Sequence, residues 1–295
     1  MRTLGVLARP DLAEAGPALR ELVAWLRQRG VRALTEERTA VLLDGAAGDR
    51  AAVAPGREVA AQADALVVLG GDGTLLAASR LLEGRAVPVL GVNFGSLGFL
   101  TEIALPELYP ALEGLLDGSY QYEDRRMLRA VVERDGREAA AAHVLNDVVI
   151  TSAAVSRIIE LEVTVGGLFV SSFRADGLIV SSPTGSTAYN LAAGGPILHP
   201  SLPAIVLTPI CPHTLTNRPL VLSDESAVEV RLRAAPDGQA QTTFDGQPGL
   251  AITARDSVKV SRSVRGLRLV RAPARDYFEV LRTKLKWGES TARRS

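Results

Sequence analysis

The stretch 66-LVVLGGDGTLLAASRLL-82 decides how the first half of the chain is read. It opens as an apolar run, passes through Gly70, Gly71, Asp72 and Gly73, and leaves on apolar residues at helical spacing. A short continuous apolar run is what a strand buried on both faces of a parallel sheet requires. The spacing after it predicts a helix from Leu75 to Leu82, closed at Gly84. Two uses of the turn between them are open. In the first, Asp72 caps the helix, because Asp is a favoured N-cap residue. In the second, amides at the helix start cradle phosphate and the glycines let its oxygens approach. A carboxylate repels phosphate, so Asp72 fits that second use only as a metal ligand or as the acceptor of a proton from an attacking hydroxyl. No Gly-Lys-Ser/Thr follows, so the turn is not a Walker loop, and it lacks the G-x-G-x-x-G spacing as well.

Outward from this turn the first half alternates strands and helices. Residues 3-TLGVLA-8 read as a strand. Leu19, Leu22, Val23 and Leu26 recur at i, i+3, i+4 and i+7, with Gly30 at the expected C-terminal cap. Strands follow at 31-VRALTEE-37, 65-ALVVLG-70 and 86-AVPVLGVN-93. The β-α-β order predicts an α/β domain with a doubly wound parallel sheet, its ligand loops along one edge. The segment 91-GVNFGSLGFL-100 is a second glycine-studded loop directly after a strand.

After about residue 125 the period changes from helical to alternating. Residues 128–150 read as two strands around an Asp-Gly turn, and 157–173 as two more around Gly166-Gly167. Val228, Val230 and Leu232 alternate with Glu229, Arg231 and Arg233. Two later strands are expected at 257–261 and 266–272. This half is expected to be a β-rich, sandwich-like domain. The organisation read is residues 1–125, 126–272, and a segment 273–295, helical from about Asp276, that packs back on the first domain.

The 295 residues suggest about two domains. Basic and acidic residues balance at 33 each, and nothing in that balance predicts a nucleic-acid or membrane surface. The single cysteine, Cys211, excludes an internal disulfide framework; its apolar neighbours predict a buried small side chain. No signal-peptide pattern or apolar span of membrane length is present, so a soluble cytoplasmic protein is expected. His143, His199 and His213 share no metal-ligand spacing, and no G-x-S-x-G elbow suggests a hydrolase.

The densest stretch is 174-RADGLIVSSPTGSTAYNLAAGGPILHP-200. A strand, 178-LIVSS-182, runs into Pro183-Thr184-Gly185-Ser186-Thr187, where small hydroxyl residues offer several donors and acceptors. Tyr189 adds a ring and a hydroxyl suited to a base or a ribose. Here the chain resembles the NAD kinase family. The matching blocks are 70-GGDGTLL-76, 91-GVNFGSLGFL-100, 146-NDVVI-150, 176-DGLIVSSPTGSTAYNLAAGGPILHP-200, 213-HTLTNRPLVL-222 and 245-DGQ-247, in family order over most of the chain.

The resemblance implies transfer of a terminal phosphoryl group, from ATP or polyphosphate, to the 2′-hydroxyl of the adenosine ribose of NAD, with a divalent metal cation, Mg²⁺. It makes Asp72 the proton acceptor, with Gly73 against the same ligand and Gly70, Gly71, Gly73 and Thr74 forming the phosphate-donor loop. Asn146 and Asp147 match a pair that holds adenine and ribose; Asp147 stands where Glu is commoner and reaches one methylene less. Arg157 matches a basic residue near the substrate, and Arg174 with Asp176 a polar pair on the nicotinamide side. Thr187, Ala188, Tyr189, Asn190, Leu191 and Ala192 match a segment wrapped around the dinucleotide, with Ala192 where serine is common. Gln247 matches a further contact. No fixed protein-only metal site is expected. The resemblance also implies a homo-oligomer, dimer or tetramer. Two other functions share parts of the pattern: a lipid kinase with the same Gly-Gly-Asp-Gly turn, and a non-catalytic dinucleotide sensor. The small polar 183–195 stretch argues against the acyl pocket of the first, and Asp72 against the second.

Overall fold

The computed structural model describes residues 1–12, 14–43, 51–95, 97–153, 158–272 and 275–287. In chain order the first elements are β1 (Thr3–Ala8), α1 (Ala15–Gln28), β2 (Arg32–Glu36), α2 (Glu37–Ala40), β3 (Ala52–Ala54), α3 (Gly56–Gln62), β4 (Ala65–Leu69), α4 (Asp72–Leu81), β5 (Pro88–Asn93), β6 (Ile103–Ala104) and α5 (Leu108–Asp117). Then come β7 (Tyr122–Arg134), β8 (Arg137–Val144), β9 (Asp147–Ser152), β10 (Ile159–Val165), β11 (Leu168–Ala175), β12 (Gly177–Ser181) and α6 (Tyr189–Ala192). The chain closes with β13 (Ala204–Ile210), β14 (Leu220–Ser223), β15 (Val228–Ala234), β16 (Gln239–Phe244), β17 (Gln247–Thr253), β18 (Asp256–Val270) and α7 (Tyr277–Leu285). These elements fold as two compact units: Met1–Asp124 with the chain from Leu267 onward, and Arg125–Gly266.

The first unit is an α/β fold on a parallel sheet. Its strands run β3-β2-β1-β4-β5, and the end of β18 pairs with β5. The chain winds from β1 out to β3, then returns to the other side of β1 with β4. That reversal makes the carboxyl ends of β1 and β4 the topological switch point, where open α/β sheets bind ligands. All five residues of β4 are buried, as its apolar run requires. Leu19, Leu22, Val23 and Leu26 turn the inner face of α1 onto a core that includes Leu4, Val6 and Val67. Helix α1 closes where Gly30 takes a φ of +70°. Helix α7 belongs to this unit and begins at Asp276, whose carboxylate accepts the Glu279 N–H at 2.8 Å.

The second unit is antiparallel. One sheet runs β14-β13-β12-β9-β16-β17, and β11-β10-β15-β18 form the other, with β7 and β8 beside β18. Ile150, Val180 and Leu207 from the first sheet share a core with Leu161, Val163, Val230 and Val258 from the second, so the two sheets pack face to face.

Several expectations change. Helix α4 starts at Asp72, three residues before Leu75, because the glycine turn is itself the first helical turn. The strands expected at 257–261 and 266–272 are one strand, β18. Ser263 occupies an inward position between them, and a buried serine hides the alternation. The 128–150 stretch holds a third strand, β9, which begins after Asn146. Cys211 is exposed, with a φ of +45°, because the chain turns out of the sheet directly after β13. Among the described residues no helix is long and apolar enough to cross a membrane.

Candidate functional site

In the first unit the loops after β1, β4 and β5 line a cavity of about 350 Å³. Its lining comprises Arg9, Leu12, Gly70, Gly71, Asp72, Asn93, Phe94, Gly95, Gly98 and Lys284. This is the switch point named above, so the sheet winding explains why these loops meet. The start of α4 leaves its leading N–H groups without intrahelical acceptors, which favours an anion.

Asp72 does not cap this helix. Gly71 is the N-cap residue and no side chain caps it. The Asp72 carboxylate crosses instead to the second glycine-rich loop. Its Oδ2 accepts the Phe99 N–H at 2.9 Å. Its Oδ1 accepts the N–H groups of Leu100 and Thr101 at 3.1 and 3.0 Å, and the Thr101 hydroxyl at 3.0 Å. Gly98 makes this possible, because a Cβ at that position would overlap the Asp72 carboxylate and the Thr101 hydroxyl. Asn93 braces the same loop: its amide donates to Thr101 Oγ1 at 3.1 Å, and its oxygen accepts the Gly95 N–H at 2.8 Å. A carboxylate has about four acceptor positions. Oδ1 takes three of these hydrogen bonds and Oδ2 one, so Oδ2 is the oxygen with capacity for a proton or a cation.

Two cations line the cavity. The Arg9 guanidinium is held by Asp11 in two hydrogen bonds of 2.8 and 2.6 Å. Lys284, on α7, lies with Nζ 6.0 Å from the centre of the Phe99 ring. Sequence reasoning missed Lys284, Asn93, Gly98 and Thr101 as parts of this site.

In the second unit Asn146 and Asp147 lie where β9 begins. The loop after β12 folds against them: the Ser182 N–H donates to the Asn146 carbonyl at 2.8 Å, and the Ser182 hydroxyl donates to the Leu145 carbonyl at 2.5 Å. Gly185 packs so closely on the Asn146 carbonyl that a Cβ there would collide with it. Asp147 is 5% exposed. Burial, and then the charge of Asp245, push its carboxyl from the ordinary 3.8 up to about 7.

Thr187 and Ala188 are half-buried, whereas Tyr189 and Ala192 are exposed. Asn190 is fully buried and its amide is engaged within the protein. Its Nδ2 donates to the carbonyls of Ser186 and Pro196, and its Oδ1 accepts the Thr208 hydroxyl. Arg174 is exposed near the end of β11, Asp176 follows in the turn before β12, and Gln247 is exposed at the start of β17. Arg157 lies outside the described residues.

Among the described residues no group of three or more His, Cys, Asp or Glu could hold a metal ion. The donor set nonetheless fits Mg²⁺ in one mode. That ion is commonly held by one or two carboxylates plus substrate phosphates and water. Asp72, with spare capacity on Oδ2 beside a glycine-rich turn, supplies such a carboxylate.

Comparison with known proteins gives the family. The family described as ATP-NAD kinase N-terminal domain matches residues 4–120, and the ATP-NAD kinase C-terminal domain matches residues 145–272. An NAD kinase of Citrifermentans bemidjiense is 50% identical over 98% of this chain and its own full length. An NAD kinase of Geobacter sulfurreducens shows the same identity and coverage. The crystal structure of a yeast NADH kinase complexed with NADH superposes with a TM-score of 0.91 at 24% identity, covering all of this chain and 90% of that one. An NAD kinase from Archaeoglobus fulgidus in complex with ATP superposes at 0.76 and 23% identity, covering 95% of this chain and 99% of that one. With both domains matched in order and half the residues shared along the whole length, the chain belongs to the NAD kinase family.

Proposed function

We propose that Asp72 accepts the proton of the 2′-hydroxyl on the adenosine ribose of NAD while the terminal phosphoryl group of ATP passes to that oxygen. A bond forms between the ribose oxygen and the γ-phosphorus. The bond from that phosphorus to the β–γ bridging oxygen breaks, and its electron pair stays on the ADP that leaves. The products are NADP and ADP. The observation that carries this reading is the Asp72 carboxylate, fixed by four hydrogen bonds at the rim of a glycine-lined cavity.

A ribose hydroxyl is a poor nucleophile at neutral pH, so most of the rate comes from holding it in line and stabilising the spread charge. Asp72 orients the hydroxyl, and Gly70, Gly71 and Gly73 present backbone to the phosphates; the Thr74 N–H is already taken by the Gly71 carbonyl at 2.9 Å, so Thr74 shapes the turn. Mg²⁺ carried by the triphosphate, with the Asp72 carboxylate near it, would neutralise charge on the phosphate oxygens. Lys284 adds positive charge at the same cavity, whereas the charge of Arg9 is paired with Asp11. Polyphosphate offers the same chain of phosphates as an alternative donor.

The dinucleotide falls to Gly73 and to residues of the second unit: Asn146, Asp147, Arg157, Arg174, Asp176, Thr187, Ala188, Tyr189, Leu191, Ala192 and Gln247. In this reading Asn190 shapes the 184–192 segment from within rather than touching the ligand, since its amide is already spent. The division of labour follows the two units, with Met1–Asp124 and the chain from Leu267 onward serving the phosphates and Arg125–Gly266 most of the dinucleotide.

The enzyme works as a cytoplasmic homo-oligomer, dimer or tetramer. Leu168 and Phe169 support assembly: they stand exposed on β11, an outer strand of its sheet, where an uncovered apolar edge invites pairing. The test of function is NADP formation by the purified full-length protein from NAD, ATP and magnesium. Turnover that stops when the metal is chelated is expected. Absence of turnover with both ATP and polyphosphate, despite NAD binding, would contradict the reading.

A further inference from the structure

We infer that Asp245 is the positioning residue of the dinucleotide site, holding the Leu145–Asp147 turn in the shape that presents Asn146 and Asp147 to the ligand. The inference rests on the reading of Asn146 and Asp147 as dinucleotide contacts. It concerns a residue outside that set.

The geometry is specific. One Asp245 oxygen accepts the Leu145 N–H at 2.8 Å, and the other accepts those of Asn146 and Asp147 at 2.7 and 3.1 Å. The Asp245 N–H in turn donates to the Asp147 carbonyl at 3.0 Å. Ser182 takes the two remaining carbonyls, of Leu145 and Asn146. Every backbone polar group of the three residues is therefore held, by Asp245 or by Ser182. The side chains of Asn146 and Asp147 are left to deal with a ligand.

The chain aims Asp245 at this turn through a two-residue connection between β16 and β17. Asp245 and Gly246 both have positive φ, +47° and +72°, which matches the right-handed twist of a tight hairpin. Asp245 is 7% exposed, so its carboxylate has little water to fall back on. Three consecutive N–H groups on one buried carboxylate are stronger and more directional than neutral hydrogen bonds.

A second consequence gives a readout that a merely structural role would not move. Among the described residues, Asp245 is the charged group whose field acts on Asp147. β12 brings Ser181 opposite Asp147, β16 brings Phe244 opposite the next residue, and the loop at 182–187 contributes only uncharged side chains. The charge of Asp245 thus raises the pH at which Asp147 ionises, on top of burial. As a carboxylate Asp147 accepts hydrogen bonds from ribose or adenine donors; as an acid it has lost part of that capacity. The apparent KM for NAD should therefore rise as pH falls through about 7.

The test is Asp245→Asn in the full-length enzyme. An asparagine oxygen can keep two of the three N–H bonds, while its NH₂ meets the third N–H donor to donor. KM for NAD should rise about ten- to a hundredfold, while kcat and KM for ATP stay within about threefold. The inflection in kcat/KM for NAD should move to lower pH. Combining it with Asn146→Ala should raise KM no further than the larger single change, because both act through one turn. A folded Asp245→Asn enzyme with unchanged KM for NAD and an unchanged pH profile overturns the proposal. Asn146→Ala alone separates the two readings. If it raises KM and Asp245→Asn does not, only the positioning role falls; if it too leaves KM unchanged, the dinucleotide assignment falls and takes this proposal with it. Should Asp245→Asn not fold, amide exchange in the wild-type enzyme decides. Slow exchange at Leu145 and Asn146 without ligand supports the role, and exchange as fast as in exposed loops overturns it.

Discussion

The two units each contain an aspartate that gathers three consecutive backbone N–H groups from a distant turn. Asp72 takes those of Phe99, Leu100 and Thr101, and Asp245 those of Leu145, Asn146 and Asp147. Their surroundings differ. Asp72 is half-buried at the start of a helix, lines a cavity, and crowds three bonds onto one oxygen. Asp245 is buried at a hairpin turn. The same device thus serves two ends: Asp72 is open and only partly spent and can do chemistry, whereas Asp245 spends both its oxygens on the turn that it holds in place. The number of hydrogen bonds alone does not separate them, but access and spare acceptor capacity do.

The sharpest way to break this comparison is to neutralise each aspartate. Asp72→Asn retains an oxygen for the three bonds now made by Oδ1 and loses the one from Phe99, so the fold should survive. Loss of the proton acceptor should lower kcat about 10²–10⁴-fold, measured as NADP formation. Neutralising Asp147 tests the second unit from the other side. Its carboxyl is raised from 3.8 to about 7, so the folded protein binds more protons than the unfolded chain between those values. The contribution of Asp147 to stability should then fall as pH rises from about 4 to about 7, by at most about 4 kcal/mol. Asp147→Asn should flatten that slope in urea unfolding across the same range; an unchanged slope would contradict the assignment. Asp245→Asn comes next in size, with its tenfold or larger rise in KM for NAD. The smallest effect is expected at Lys284, an exposed cation on the cavity. Lys284→Met should raise KM for ATP about three- to fivefold at low salt, and less at high salt, without moving KM for NAD.

What was legible in the sequence is what is local. The strand, glycine turn and helix at 66–82, the Gly166-Gly167 hairpin and the alternation of β15 follow from neighbours a few residues apart. β18 reads as two strands because Ser263 is buried where the alternation calls for an apolar residue. Cys211 read as buried because its neighbours are apolar, yet the chain leaves the sheet at that point. In the site, the glycines and Asp72 stand out as types, but the partner of Asp72 does not. Its clamp on Phe99–Thr101 spans nearly thirty residues, and that of Asp245 on Leu145–Asp147 about a hundred. Lys284 reaches the cavity from α7, about two hundred residues beyond the glycine turn, and no local pattern marks it. Asn190 lies in a segment whose composition points to a ligand, but its side chain satisfies the protein instead.

The claim on which the rest depends is that Asp72 acts in the reaction and does not merely tie two loops together. The direct measurement is kcat for wild type and Asp72→Asn at saturating NAD, ATP and magnesium, with thermal unfolding of both proteins alongside. The account predicts a kcat lower by about a hundredfold or more at a melting temperature within a few degrees of wild type. A kcat within about threefold of wild type in a well-folded Asp72→Asn enzyme would contradict it.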